Sequence, residues 1–167
     1  MYFPSNFNLI SLLSRYFFIT LFFMFMAVGC ASKKQYESYH KFETKTWPRF
    51  ENVTFEIPIN QTDFTCDIYF FVGLTNEFPY ESILFNMVMN TPSGEERIRE
   101  YSMPVKSDNG NFLLECNSDS CHGQLLLKEG LTIAKPGTLK IELENLIPKL
   151  EITGISGVGI RVVRSGK

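Results

Sequence analysis

Residues 64–75 read FTCDIYFFVGLT. Ile68, Phe70, Val72 and Leu74 recur at every second position, which places them on one face of an extended chain. Tyr69 and Phe71 take the opposite face, so this strand is expected to be covered on both sides. Upstream, Val53, Phe55, Ile57 and Ile59 alternate with polar residues and predict a half-buried strand over 53–59. Downstream, Ile83–Met89 reads as the next strand. Glu95–Val105 is more polar, with Ile98, Tyr101, Met103 and Val105, and is expected near an edge. Short strands follow over Phe112–Cys116 and Gln124–Lys128. Leu139, Ile141 and Leu143 alternate strictly, and Gly157–Val163 is the last strand.

Turn chemistry separates these runs. Asn76–Tyr80, Thr91-Pro92-Ser93-Gly94, Ser107–Gly110 and Lys135-Pro136-Gly137 supply the Pro, Gly, Asn and Asp that turns require. The one helical candidate, Glu144–Leu150, contains Pro148, and an interior Pro costs about 3 kcal/mol. No more than a turn is expected there. Seven or eight short strands at this spacing predict an all-β fold, an antiparallel β-sandwich that is Ig-like or jelly-roll-like.

Composition narrows the function. The chain has 167 residues, one domain's worth, with 44% hydrophobic and 20% charged residues, enough apolar matter for a core. A net charge of −2 with scattered Lys and Arg excludes a strongly basic nucleic-acid binder. Two histidines limit His-based metal sites and triads.

The first thirty residues read as an address. Arg15 precedes the apolar run YFFITLFFMFM over 16–26, and Ala27-Val28-Gly29-Cys30 follows. A charge, an apolar stretch, then small residues is the order of a secretory signal. A Cys directly after the small residues has the form of a bacterial lipobox, with Cys30 lipidated and exposed as the new N-terminus. The stretch before Arg15 is long and poor in Lys for such a leader, which places the true start downstream of Met1. The alternative is an anchor that is never cleaved. As a helix, Tyr16–Cys30 spans roughly 22 Å, short of the ~30 Å hydrocarbon core. Adding Leu9–Leu13 would bury Arg15 at a cost of about 2.5–3.5 kcal/mol. The expected organisation is therefore a signal peptide over 1–29, a lipidated Cys and polar tether over 30–46, and a β-sandwich over 47–167. No Asp follows Cys30 and no acidic run lies behind it, which we read as outer-membrane delivery with the domain facing the periplasm.

Three cysteines remain beyond Cys30. Cys116 and Cys121 bracket the turn-rich Asn117-Ser118-Asp119-Ser120 and are a candidate disulfide, permitted in an oxidising compartment. Cys66 lies inside an apolar strand and reads as a buried thiol. A metal site from Cys66, Cys116, Cys121 and His122 lacks the paired spacing of structural zinc. No metal and no cofactor is expected. His40, among polar residues near the tether, is expected in solvent.

Trp47, Phe78 and Tyr80 are the candidate partner-binding residues, because loop aromatics are favoured interface anchors. For Trp47 the structural reading stands beside it: a ring covering one open end of the sandwich. No Gly-x-Ser-x-Gly stretch, His-Glu-x-x-His helix or Gly-rich phosphate loop occurs, so no catalytic residue is assigned. Paired carboxylates in a deep cleft, Glu56 with Asp67 for instance, would reopen a hydrolase reading.

With these residues in place the chain resembles the gliding-motility lipoprotein GldH family of the Bacteroidetes. The resemblance runs over roughly 31–165. It rests on Cys30, Tyr36, Trp47, Phe55-Glu56-Ile57-Pro58, Asn76-Glu77-Phe78-Pro79-Tyr80, Ile83-Leu84-Phe85, Thr91-Pro92-Ser93-Gly94 and Pro136-Gly137-Thr138. Its most specific part is ITGISGVGIRV over Ile152–Val162, where Gly154, Gly157 and Gly159 read as turn or positive-φ positions. Two departures stand out: the Cys116–Cys121 region replaces a Trp- and Gly-rich segment, and Leu146–Lys149 stands where the family has Gln and Arg. The resemblance implies a non-enzymatic envelope lipoprotein of the gliding apparatus, with partners among gliding or type IX secretion components. The alternative is a lipid-tethered glycan- or peptide-binding module.

Overall fold

The structure is a computed structural model that describes residues 35–166. The expected signal peptide over 1–29 and the expected lipidation position Cys30 lie outside the described residues. Eleven strands follow in order: β1 Gln35–Lys41, β2 Thr46–Pro48, β3 Val53–Ile59, β4 Phe64–Thr75, β5 Ser82–Asn90 and β6 Glu96–Pro104. Then come β7 Glu115–Cys116, β8 Ser120–Ile133, β9 Gly137–Asn145, β10 Glu151–Thr153 and β11 Ile155–Gly166. All pairings are antiparallel. One sheet has the order β1-β11-β4-β8-β7, a second β3-β9-β5-β6, and β10 pairs with β2 as a small third sheet.

The two large sheets form a sandwich because their alternating apolar residues have only each other to face. Cys66, Ile68, Phe70, Val72 and Leu74 of β4 are buried against Ile83, Phe85, Met87 and Met89 of β5 and Leu139, Ile141 and Leu143 of β9. Phe70 stacks on Phe85 across the sheets, ring centroids 4.4 Å apart. A tyrosine stitches each side of the sandwich. Tyr36 of β1 donates to the Glu56 carbonyl of β3 (3.2 Å), and Tyr101 of β6 donates to the Leu127 carbonyl of β8 (2.6 Å).

Two expectations need correction. The stretch 35–46, read as tether, is part of the fold: β1 pairs with β11 over seven residues and Phe42 is buried. His40 is correspondingly half-buried, edge-on to Phe42 and 3.8 Å from Glu51. The expected strand at 124–128 is the middle of the fourteen-residue β8. Irregular pairing opposite Cys66–Tyr69 breaks its alternation, and Asp67 Oδ1 accepts the Gly130 N–H there (2.8 Å). Glu144–Leu150 forms no helix, and β6 is an edge strand.

Candidate functional site

The aromatic residues picked from the sequence close one end of the sandwich. Trp47 has no exposed surface. It stacks on Phe42 (5.8 Å), and its indole N–H donates to the Glu51 carbonyl (2.9 Å). Buried Asn145 fastens this cap, donating to the Trp47 carbonyl (3.3 Å) and accepting the Ile147 N–H (2.8 Å). Phe78 is equally buried and meets half-buried Tyr80 edge-on (5.6 Å); its carbonyl accepts from Lys106 Nζ. An exposed platform of Trp47, Phe78 and Tyr80 is therefore not formed. An open core end exposes apolar side chains to water, and these rings, Trp47 on the short strand β2 and Phe78 and Tyr80 on the β4–β5 loop, cover it.

The other sequence candidates also find definite places. Cys116 and Cys121 are bonded at the same closed end, where Cys121 pairs with Leu74. Cys66 pairs with Leu131 eight residues back along β4, about 26 Å away at ~3.3 Å per residue. The set Cys66, Cys116, Cys121 and His122 is thus not brought together. Glu56 and Asp67 stand on different sheets and form no carboxylate pair. Ser120 Oγ lies 3.1 Å from His122 Nε2 but also meets Asn117 Oδ1, which accepts the Asp119 and Ser120 N–H groups. That is turn chemistry of an Asn side chain.

Sequence reasoning missed the outer face of the five-stranded sheet. Tyr39 of β1 and Phe71 of β4 stack there, 5.6 Å apart at 15°. The Arg161 guanidinium lies 5.4 Å from the Phe71 ring centre, bonds Glu37 at 2.7 Å and donates to Gln124 at 2.9 Å. The glycines of the last segment explain why the rings lie so close. Only Gly154 has a positive φ, +83°, among Gly154, Gly157 and Gly159. A Cβ at Gly159 would stand 2.3 Å from Phe71, and one at Gly157 would stand 2.4 Å from both the His40 carbonyl and the Tyr39 ring. Gly157 and Gly159 are thus places where rings lie on bare backbone. The signal was present in the sequence as Gly-x-Gly alternating with a strand, but its meaning needed the neighbouring strands. This face offers ring edges, a guanidinium and a carboxylate: a surface suited to contact.

At the end opposite Trp47 the sandwich is open. A cleft of about 260 Å³ lies between β3 and the β1–β11–β4 side of the other sheet. Its walls include Tyr36, Ile57, Ile59, Phe64, Val162 and Arg164. The Arg164 guanidinium lies over the Phe64 ring (4.3 Å) and donates to Gln61 Oε1 (3.2 Å). Cys66 also lines it; burial, then the neighbouring Asp67 charge, push its thiol up to about 11. It stays protonated at neutral pH and is inert as a nucleophile or ligand.

Comparison with known proteins adds three findings. The model of the GldH lipoprotein family matches residues 34–162. The chain is 24% identical over 153 residues to gliding motility lipoprotein GldH of Flavobacterium johnsoniae, covering 86% of this chain and 93% of that protein. Among solved structures, a chain of infectious bursal disease virus, Gx strain, matches 81% of this chain but only 30% of its own length. That match has 13% identity and a TM-score of 0.31, too low to carry an argument.

Proposed function

The chain belongs to the GldH lipoprotein family, and on that premise we propose that it is a non-enzymatic, lipid-anchored part of the envelope machinery for gliding. Lipid on Cys30 holds the sandwich at the outer membrane, facing the periplasm. The anchor raises the domain's effective concentration for a membrane partner, as a short linker does. Partners are envelope proteins of the gliding or type IX secretion machinery. The contact surface is the outer face around Tyr39, Phe71 and Arg161, which includes residues of the family's most specific segment.

One observation supports this reading above the others. The first described strand already includes Gln35, only five residues beyond Cys30. A chain extends at most ~3.6 Å per residue, so the domain sits within about 20 Å of its anchor. It is held near the membrane rather than displayed on a long stalk. The glycan- or peptide-binding alternative relied on Trp47, Phe78 and Tyr80, and the burial of the first two removes its platform.

The test is a crosslinked pull-down of the tagged full-length protein from its own envelope, with Cys30→Ala as control. Gliding or secretion components should be enriched and lost in the control. Recovery of glycan-handling proteins alone would overturn the assignment. Equal recovery from Cys30→Ala would overturn the tethering mechanism.

A further inference from the structure

The strands that end the two large sheets, β1, β7, β3 and β6, are not equally protected against pairing with another chain. An edge strand carries backbone N–H and C=O groups that template a further strand, and folds blunt such edges with Pro, charge, irregular pairing or short length. β3 carries Pro58, and its Glu56 carbonyl is taken by Tyr36. β6 carries Glu96, Arg97, Arg99 and Glu100 and ends at Pro104. β7 has two residues; beyond it β8 is irregularly paired, and Tyr101 takes its Leu127 carbonyl. β1 is the exception. It runs seven residues without Pro and without a register shift, and among the described residues it ends its sheet. The Phe42 N–H donates to the Ser156 carbonyl (2.9 Å), one step past the Lys41–Gly157 pair. Alternation then turns the N–H and C=O of Tyr36, Ser38 and His40 towards β11, and those of Glu37, Tyr39 and Lys41 away from it. Tyr39, at the middle of those three, is 44% exposed.

We propose that β1 pairs antiparallel with β1 of a second copy of this chain, in the register centred on Tyr39. Glu37 and Lys41 are placed symmetrically about Tyr39 in the sequence. A two-fold axis at that residue sets Glu37 opposite Lys41 of the second copy, Lys41 opposite its Glu37, and the two Tyr39 residues opposite each other. Opposite charges directly across two strands stabilise the pair, and like charges oppose it. A slip of two residues sets Glu37 opposite Tyr39 or Glu43 and forfeits both charge pairs. All three residues point their backbone groups at the shared edge, so each facing pair exchanges N–H···O bonds. Glu37 keeps its bond to Arg161, which lies within its own sheet. The two-fold axis stands perpendicular to the joined sheet, so the outer faces of both copies lie on one side. The two Tyr39–Phe71–Arg161 surfaces thereby become one bivalent surface. This pairing needs neither lipid nor a particular machinery, and so stands apart from the reading above.

The experiment uses the full-length protein in membranes of its own host, with single cysteines introduced, an oxidant added, and the wild type as background. Tyr39→Cys should form a crosslinked dimer, because facing Cα atoms in such a pair stand about 5.5 Å apart, within disulfide reach. Glu37→Cys and Lys41→Cys should each stay monomeric alone, and should crosslink to one another when co-expressed. Ile98→Cys, exposed on β6, should give no dimer. Charge exchange keeps the test open where Tyr39→Cys fails to fold. In sedimentation of the detergent-solubilised protein, Glu37→Lys and Lys41→Glu should each weaken the dimer about tenfold. The double variant Glu37→Lys/Lys41→Glu should restore it, which a merely structural role for either residue would not do. Lys41→Pro, which removes an outward N–H and leaves the bonds to β11 in place, should abolish it. A wild type that stays monomeric at every concentration would overturn the proposal. So would self-crosslinking of Glu37→Cys or Lys41→Cys as strong as that of Tyr39→Cys, or a double charge variant no better than the singles.

Discussion

The two ends of the sandwich solve the same problem differently. At one end, two short strands, a Trp on a Phe, a buried Asn and a disulfide loop cover the core. At the other, the strands stop and leave an apolar cleft with Arg164 and Phe64 at its lip. Both ends have similar aliphatic cores behind them. The difference is in the loops: the closed end carries connections bearing aromatic residues, whereas Asn60–Asp63 and Ala134–Pro136 are short and carry none. Closure is thus a property written in the connections.

The closed end should break most easily. Trp47→Ala removes a fully buried indole and its bond to Glu51, and is expected to cost about 3–5 kcal/mol, read from denaturant midpoints. A loss near 1 kcal/mol would mean that the cap is ornamental. Replacing Cys116 and Cys121 together by Ser opens a short loop and is expected to cost about 2 kcal/mol. The wild type should lose the same amount in reductant, seen as a lowered Tm. Insensitivity to reductant would show that the bond does not form in solution.

The open end should give way more gently. Phe64→Ala removes a half-buried ring at the lip, and about 1–2 kcal/mol is expected from the area it covers, well below Trp47→Ala. An equal loss would erase the distinction between the ends. The smallest effect is one of pH. The folded Cys66 thiol titrates near 11, above its ordinary 9.0. Its contribution is therefore fully present below pH 9 and is lost as pH rises through about 11. Cys66→Ala should flatten part of the fall in Tm over that window. Tyr101, also raised by burial, should account for loss above its ordinary 10.0.

Much of the sandwich was legible because its central strands obey a two-residue period. Val53–Ile59 and Phe64–Thr75 were delimited from alternation alone, and the bounds agree. β1 was not legible for the converse reason. Its sequence QYESYHK carries Tyr36, Ser38 and His40 on one face and Glu37 and Tyr39 on the other, so neither face is marked as apolar. Only pairing with β11 makes it a strand, and that partner is at the far end of the sequence. β2 and β10, three residues each, are too short for any period to register. Trp47 was legible as important, but its two roles, cap or anchor, are chemically identical in sequence; burial decided between them. The Tyr39–Phe71–Arg161 surface joins three strands, and no local window contains it.

The pairing of the first strand with the last sets the order of events in making this molecule. Among the described residues β1 has β11 as its sole neighbour in the sheet, and β11 also supplies one of the two neighbours of β4. A chain that emerges N-terminus first cannot seat β1 until its final dozen residues have appeared, and contacts of such long sequence separation form slowly. Until then β4, the central strand of the five-stranded sheet, has one unpaired edge. The sheet closes only when β11 arrives, so Gln35–Lys41, the first described strand in the sequence, is among the last to be fixed.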